Sequence, residues 1–256
     1  MEKEMNSPRE DLIIGRNAVS EALRGGRAID TLLVSRGERN GSIGRIIAEC
    51  RELGVVIKEV DRKKLDLMCG GAVHQGVAAY AASHEYSTVE DIFTLAEERG
   101  EKPFIIICDE LEDPHNLGAV IRTAEATGVH GVIIPKRRNA SLSYVVGKAS
   151  AGAVEYVPVA RVANIAQTID ELKERGIWFY AADMDGENWC SVNYDGGVGL
   201  VIGSEGRGIS RLVKEKCDFT VSMPMKGKIN SLNASVAAGI LMYEVARQRA
   251  GIKAKG

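Results

Sequence analysis

Residues 199–249, GLVIGSEGRGISRLVKEKCDFTVSMPMKGKINSLNASVAAGILMYEVARQR, decide how the chain reads. Residues 199–202 are a short apolar run that fits a buried strand. Gly203-Ser204-Glu205-Gly206-Arg207-Gly208 follows at once, and its glycines let the backbone take positive φ and approach a ligand closely. A phosphate cradle is the first expectation for such a loop. Yet the glycine order is GxxGxG rather than GxGxxG, and no GxxxxGKS/T pattern occurs. Glu205, inside the loop, would also repel a pyrophosphate. The loop therefore suits a neutral or cationic ligand. Residues 219–221 read as another strand, closed by Met223-Pro224-Met225, because Pro224 has no N–H for a ladder. A basic loop over 226–230 follows, and Ser231 or Asn233 can cap the last helix. Leu232, Val236, Ile240 and Tyr243 form its expected apolar stripe, while Ala234, Ala237, Ala238 and Gly239 keep its first half slim.

Working outward, residues 104–108 are an apolar run between Pro103 and Asp109, expected as a central strand. Asn116 is placed to cap the next helix, whose buried stripe is Leu117, Val120, Ile121 and Ala124. Arg122 falls off that stripe, and its plain reading is a solvent arginine paired with Glu125 at i+3. Strands are expected at 131–134, 154–157 and 177–182, with a helix over 162–175. Asp183, Asp185 and Glu187 cluster, but an acidic surface loop explains them better than a metal site. The alternation of strand and helix predicts an α/β fold with a mostly parallel sheet covered by helices.

The first third is a second α/β pattern. Helices are expected at 17–23, 43–53 and 61–68, and strands at 29–34, 55–60 and 77–81. The chain thus divides into a disordered tail (1–11), a small α/β domain (12–81), a polar linker (82–88) and a larger domain (89–256). Residues 1–80 hold 13 basic and 12 acidic residues, and Tyr80 is the one aromatic there, so base stacking is not the small domain's main mode of binding. Arg16, Arg24, Arg27 and Arg36 are its candidate phosphate contacts, and His74 reads as a hydrogen-bonded structural histidine.

Composition is that of an ordinary soluble globular protein: 256 residues, 45% apolar and 27% charged, with a net charge of −2. The balance argues against a chain that binds nucleic acid through bulk charge. Basic residues do cluster, however, over 135–148, at Lys226 and Lys228, and in the tail with Arg247, Arg249, Lys253 and Lys255. No apolar run reaches the ~20 residues that span a bilayer, and the first residues lack a signal-peptide core. Five scattered cysteines without a CxxC pair read as free thiols in a reducing cytoplasm, with no zinc site.

GSEGRGIS, SMPM and INSLNASVAAGILMYE, together with the upstream Asn116-Leu117-Gly118-Ala119-Val120-Ile121-Arg122-Thr123-Ala124, resemble the ordered motifs of the SpoU/TrmH family of RNA ribose 2′-O-methyltransferases. The similarity covers roughly residues 103–249. The smaller domain, with GRNAVSEAL near its start and HQGVAA at its end, resembles the substrate-binding domain of rRNA-directed members. The resemblance implies a SPOUT-type catalytic domain with a deep trefoil knot, a homodimer, and S-adenosylmethionine as cofactor. Backbone groups at Ile202, Gly203, Met223 and Leu232 would hold that cofactor, which has no phosphate and a cationic sulfonium. Arg122 would be the key catalytic residue, assisted by Asn116, Glu205, Ser231 and Asn233, with no metal.

Arginine stays protonated, so Arg122 is expected to position the 2′-hydroxyl or the adjacent phosphate and to stabilise developing alkoxide, with a neutral-arginine base as the alternative. The implied substrate is RNA, 23S rRNA at a guanosine. The alternatives are a tRNA ribose methyltransferase and a non-catalytic RNA-binding assembly factor. A nucleotide-binding oxidoreductase is disfavoured by Glu205 and by the missing dinucleotide fingerprint.

Overall fold

A computed structural model describes residues 11–38, 41–229 and 231–252. Most of the expected disordered tail, Asn230, Lys253 and Lys255 lie outside the described residues. The chain forms two compact units, one up to Glu85 with Ser141–Tyr144, the other Tyr86–Ala140 with Val145 onward.

The first unit runs β1 (Leu12–Ile14), α1 (Arg16–Arg24), β2 (Ile29–Ser35), α2 (Ser42–Glu52), β3 (Val56–Val60), α3 (Arg62–Met68) and β4 (Val77–Ala81). Its sheet has the order β1-β4-β2-β3, with β4 antiparallel to both neighbours and β2 parallel to β3. Alternation along β2 divides the core. Leu32 and Val34 pack with α1 and α2 through Val19, Leu23, Ile43 and Ile46, while Leu33 packs with Leu65 of α3 and with Cys69 just after it on the other face. His74 is buried, accepts from the Gly76 N–H at Nδ1 and lies 2.8 Å from Asp66 at Nε2, a structural arrangement.

The second unit runs α4 (Val89–Glu98), β5 (Phe104–Asp109), α5 (Pro114–Ala126), β6 (Gly131–Pro135), α6 (Tyr144–Ala149, its first residue in the other unit), β7 (Val159–Val162), α7 (Ile165–Glu174), β8 (Ile177–Asn188), β9 (Gly197–Gly203), α8 (Arg211–Lys216), β10 (Phe219–Ser222) and α9 (Ala234–Arg249). Every pairing in its six-stranded sheet, order β10-β8-β9-β5-β6-β7, is parallel. Both faces of the sheet are covered, so its central strands are buried on both sides: β5 is buried at all six positions. α9 packs on α5 and β9.

Four local expectations change. Residues 154–157 are not a strand: Ala153–Glu155 is a 3-10 turn and the strand is β7, paired from Val159 to Val132. Val154 and Val157 are buried all the same, and a short apolar run cannot show how it is buried. Val162 ends that strand, and Asn164 caps α7 by accepting from the Gln167 N–H. Asn116 does not cap α5: Asp113 does, with Pro114 as the first helical residue, leaving Asn116 inside the helix and buried. The stripe expected on α9 faces outward: Val236, Ile240 and Tyr243 are exposed, and Ala234, Ala238, Leu241, Met242 and Val245 are buried.

Candidate active site

Three loops meet above the C-terminal ends of β8, β9 and β10. The first is the stretch after β9. Ser204 and Gly208 exchange backbone hydrogen bonds at 3.1 and 2.8 Å and close residues 204–208 into a tight loop. A Cβ on Gly203 would collide with the backbone of Gly208 and Ile209, so only glycine lets the chain fold back there. Asp109, buried at the end of β5, accepts from the Ser210 N–H at 2.7 Å and anchors the far side of the loop.

The second is an excursion of β8. β10 pairs Thr220 with Ala181 and then Val221 with Glu187, so residues 182–186 leave the ladder. Lys214 of α8 holds this excursion through Asp183 and Asp185, each at 2.8 Å. Its hydrogen bonds to the two carboxylates push its pKa up, and the same pairing lowers that of Asp185. Asp183 and Asp185 are therefore an ion-paired strut, and among the described residues no cluster could hold a metal. The third is the segment from Met223 to the start of α9.

Together these loops line a cavity of about 370 Å³. Ile202, Gly203, Met223, Ser231 and Leu232 all line it, with Glu205, Arg207, Ala182 and Asp183. The volume lies within the usual range for small-molecule sites. Among the described residues its charged groups are the Glu205 and Asp183 carboxylates and the Arg207 guanidinium, beside apolar side chains such as Met223 and Leu232. That donor set fits an uncharged or cationic ligand better than a phosphorylated one.

Beside it, Glu205 gathers two amides. Asn116 donates Nδ2 to Glu205 Oε1 at 2.7 Å, and Asn233 donates Nδ2 to the same oxygen at 2.5 Å. Asn233 also donates to Asn116 Oδ1 at 2.9 Å. Its own Oδ1 caps α9, accepting from the N–H groups of Ser235 and Val236. The cap fixes which end of the Asn233 amide faces Glu205. Residues 116, 205 and 233 are far apart in sequence, and the fold joins them in one hydrogen-bonded triangle.

Arg122 lies elsewhere. It is exposed on α5, does not line the cavity, and makes no ion pair with Glu125 or any other described residue. Sequence reasoning missed Asp109 and Lys214. Asp109 could be read only as a strand end, and Lys214 as one surface base among several.

The comparisons with known proteins agree on one family. Residues 103–243 match the SpoU rRNA Methylase family, and residues 12–87 match the RNA 2′-O ribose methyltransferase substrate-binding family. YacO of Bacillus subtilis, named for the TrmH family of tRNA/rRNA methyltransferases, is 50% identical over 95% of this chain and 98% of its own. The crystal structure of the SpoU methyltransferase AviRb from Streptomyces viridochromogenes with its cofactor AdoMet is 26% identical, with a TM-score of 0.59 over 94% of this chain and 90% of that one. An AdoMet-bound rRNA methyltransferase from Sinorhizobium meliloti is also 26% identical, with a TM-score of 0.57 over 93% and 87%.

Proposed function

Since the chain belongs to the SpoU family of RNA methyltransferases, we propose that it transfers a methyl group from S-adenosylmethionine to one ribose 2′-oxygen of 23S rRNA, at a guanosine. The observation that carries the reading is the convergence of Asn116, Glu205 and Asn233 beside a cavity whose walls suit a cationic, phosphate-free ligand. The small domain supports an RNA substrate, because it matches a family described by substrate binding. The cytoplasm is the working compartment.

The cofactor supplies an electrophilic methyl group on a sulfonium. Backbone groups at Ile202, Gly203, Met223 and Leu232 would hold it, with Gly203 letting the 204–208 loop fold back to form the wall. Glu205, fixed by two amides, orders the mouth of the cavity. Ser231 lines the same wall and helps shape it. Arg122 positions the ribose hydroxyl or its neighbouring phosphate and stabilises the alkoxide that develops on it. The trefoil knot belongs to the same proposal. The chain leaves β10 at one edge of the sheet, returns past the 204–208 loop, and enters α9 against the centre.

Among the described residues, Arg122 does not line the cavity of its own chain, which favours a homodimer in which groups of two chains meet at each site. The outward apolar face of α9 fits that reading, with Val236 50%, Ile240 36% and Tyr243 58% exposed. Titration calorimetry and methyl transfer test it together. Arg122→Ala should bind S-adenosylmethionine as the wild type does and transfer no methyl group. Wild-type turnover in that variant removes Arg122 from the chemistry. Absence of cofactor binding by the wild type would favour a non-catalytic RNA-binding factor.

A further inference from the structure

A second cavity of about 300 Å³ lies between residues 110–113, after β5, and residues 204–207, after β9. β5 and β9 are neighbours, yet the chain leaves β5 toward β6 and leaves β9 toward β10 at the opposite edge. Adjacent parallel strands with diverging connections open a crevice beyond their C-terminal ends, where open α/β sheets take ligands. Ser204, Glu205, Gly206 and Arg207 form a wall common to both cavities. An occupant of one therefore sits next to an occupant of the other.

Glu110 lines this crevice, and its Oε1 lies 2.9 Å from Nη1 of Arg138. Both residues are in the left-handed backbone region, with φ of 59° and 56°, which residues bearing a Cβ rarely adopt. The Leu111 N–H donates to Asn139 Oδ1 at 2.7 Å, and the Ala140 N–H donates to the Leu111 carbonyl at 2.8 Å. These bonds stitch the two loops together and hold both conformations. The second oxygen of Glu110 reaches Arg207 Nη1 at 3.5 Å. The Glu110 side chain is only 17% exposed, whereas Arg138 and Arg207 are 69% and 72% exposed. One sunken carboxylate thus holds two guanidiniums whose remaining N–H donors face solvent. Exposed ion pairs contribute little to folding, so they do not explain two left-handed residues. Strain of this kind is retained where a ligand needs the geometry.

We propose that Arg138 and Arg207 clamp the phosphodiester beside the ribose that is methylated, with Glu110 as the positioning residue that sets their spacing and the crevice receiving the target nucleotide. This rests on the RNA-methylation reading. The guanidinium fork matches phosphate oxygens. The phosphodiester and the 2′-hydroxyl sit on adjacent ribose carbons, so gripping one places the other at the shared wall.

The test is single-turnover methylation against RNA concentration at several salt concentrations, with unmodified large-subunit rRNA and tRNA as the two probes. Arg138→Ala and Arg207→Ala should each raise the half-saturating RNA concentration about tenfold. Each should also cut the log–log salt slope by about one. Arg207→Lys should recover only part, because an ammonium lacks the fork. Glu110→Gln should raise half-saturation in the wild-type background and add nothing once both arginines are alanine. A merely structural Glu110 would instead act equally in both backgrounds. Unchanged half-saturation and salt slope in both alanine variants overturns the clamp and leaves methylation standing. A wild-type chain that methylates neither RNA, nor a precursor large subunit, overturns the methylation reading, and the clamp with it.

Discussion

Asn233 does two jobs with one amide: its oxygen caps α9 and its nitrogen donates to Glu205 and Asn116. Asparagine alone provides both. Aspartate would keep the cap and set a second carboxylate against Glu205. Asn233→Asp should therefore leave the helix intact, cost about 1 kcal/mol in chemical denaturation, and abolish methyl transfer. A fully active Asn233→Asp enzyme would show that the triangle is only structural. His130 makes a second argument at this scale. It is fully buried, and its Nδ1 accepts from the Phe104 N–H at 2.9 Å. Burial lowers its pKa below the ordinary 6.5, against the opposing pull of Glu101. The unfolded chain then takes up a proton that the folded chain refuses. Stability should fall as pH drops through 6.5 and below. Denaturation midpoints for the wild type and His130→Asn should diverge below that pH, with the variant lacking this part of the loss.

Elements were legible where local signals agreed. β4 sits at 77–81, where a strand is expected, and the buried stripe of α5 is the one its spacing predicts. Misreadings arose where tertiary packing decides. The apolar run at 154–157 is buried by a turn, because the strand must start where it can pair with Val132. α9 is apolar on two sides, and only its docking on α5 and β9 selects the inner one. The residues expected to form the cofactor wall were legible through motif order, but the Asn116–Glu205 contact spans 89 positions and no local pattern could show it. Gly203 makes the element-scale prediction. Gly203→Ala drives a methyl into the Gly208–Ile209 backbone. It should cost about 1–3 kcal/mol and lose cofactor binding, both readable by thermal melts with and without S-adenosylmethionine. A variant as stable and as ligand-responsive as the wild type would mean that the loop is not held as described.

At the scale of the whole molecule, the proposed homodimer would account for both the apolar residues on the outer face of α9 and the position of Arg122 away from the cavity. Ile240→Glu should turn a dimer into a monomer by light scattering and remove activity with it. Mixing inactive Arg122→Ala and Asn233→Asp chains should restore about one quarter of the wild-type rate if each site joins groups of two chains. No recovery would place Arg122 and Asn233 in the same chain's site. The decisive measurement supplies the wild-type protein with labelled S-adenosylmethionine and, separately, unmodified large-subunit rRNA, a precursor large subunit and tRNA, then maps the labelled nucleoside. One 2′-O-methylguanosine in the large-subunit RNA is the predicted result. A folded chain that binds the cofactor yet labels none of the three, or labels a base in place of a ribose, would contradict it.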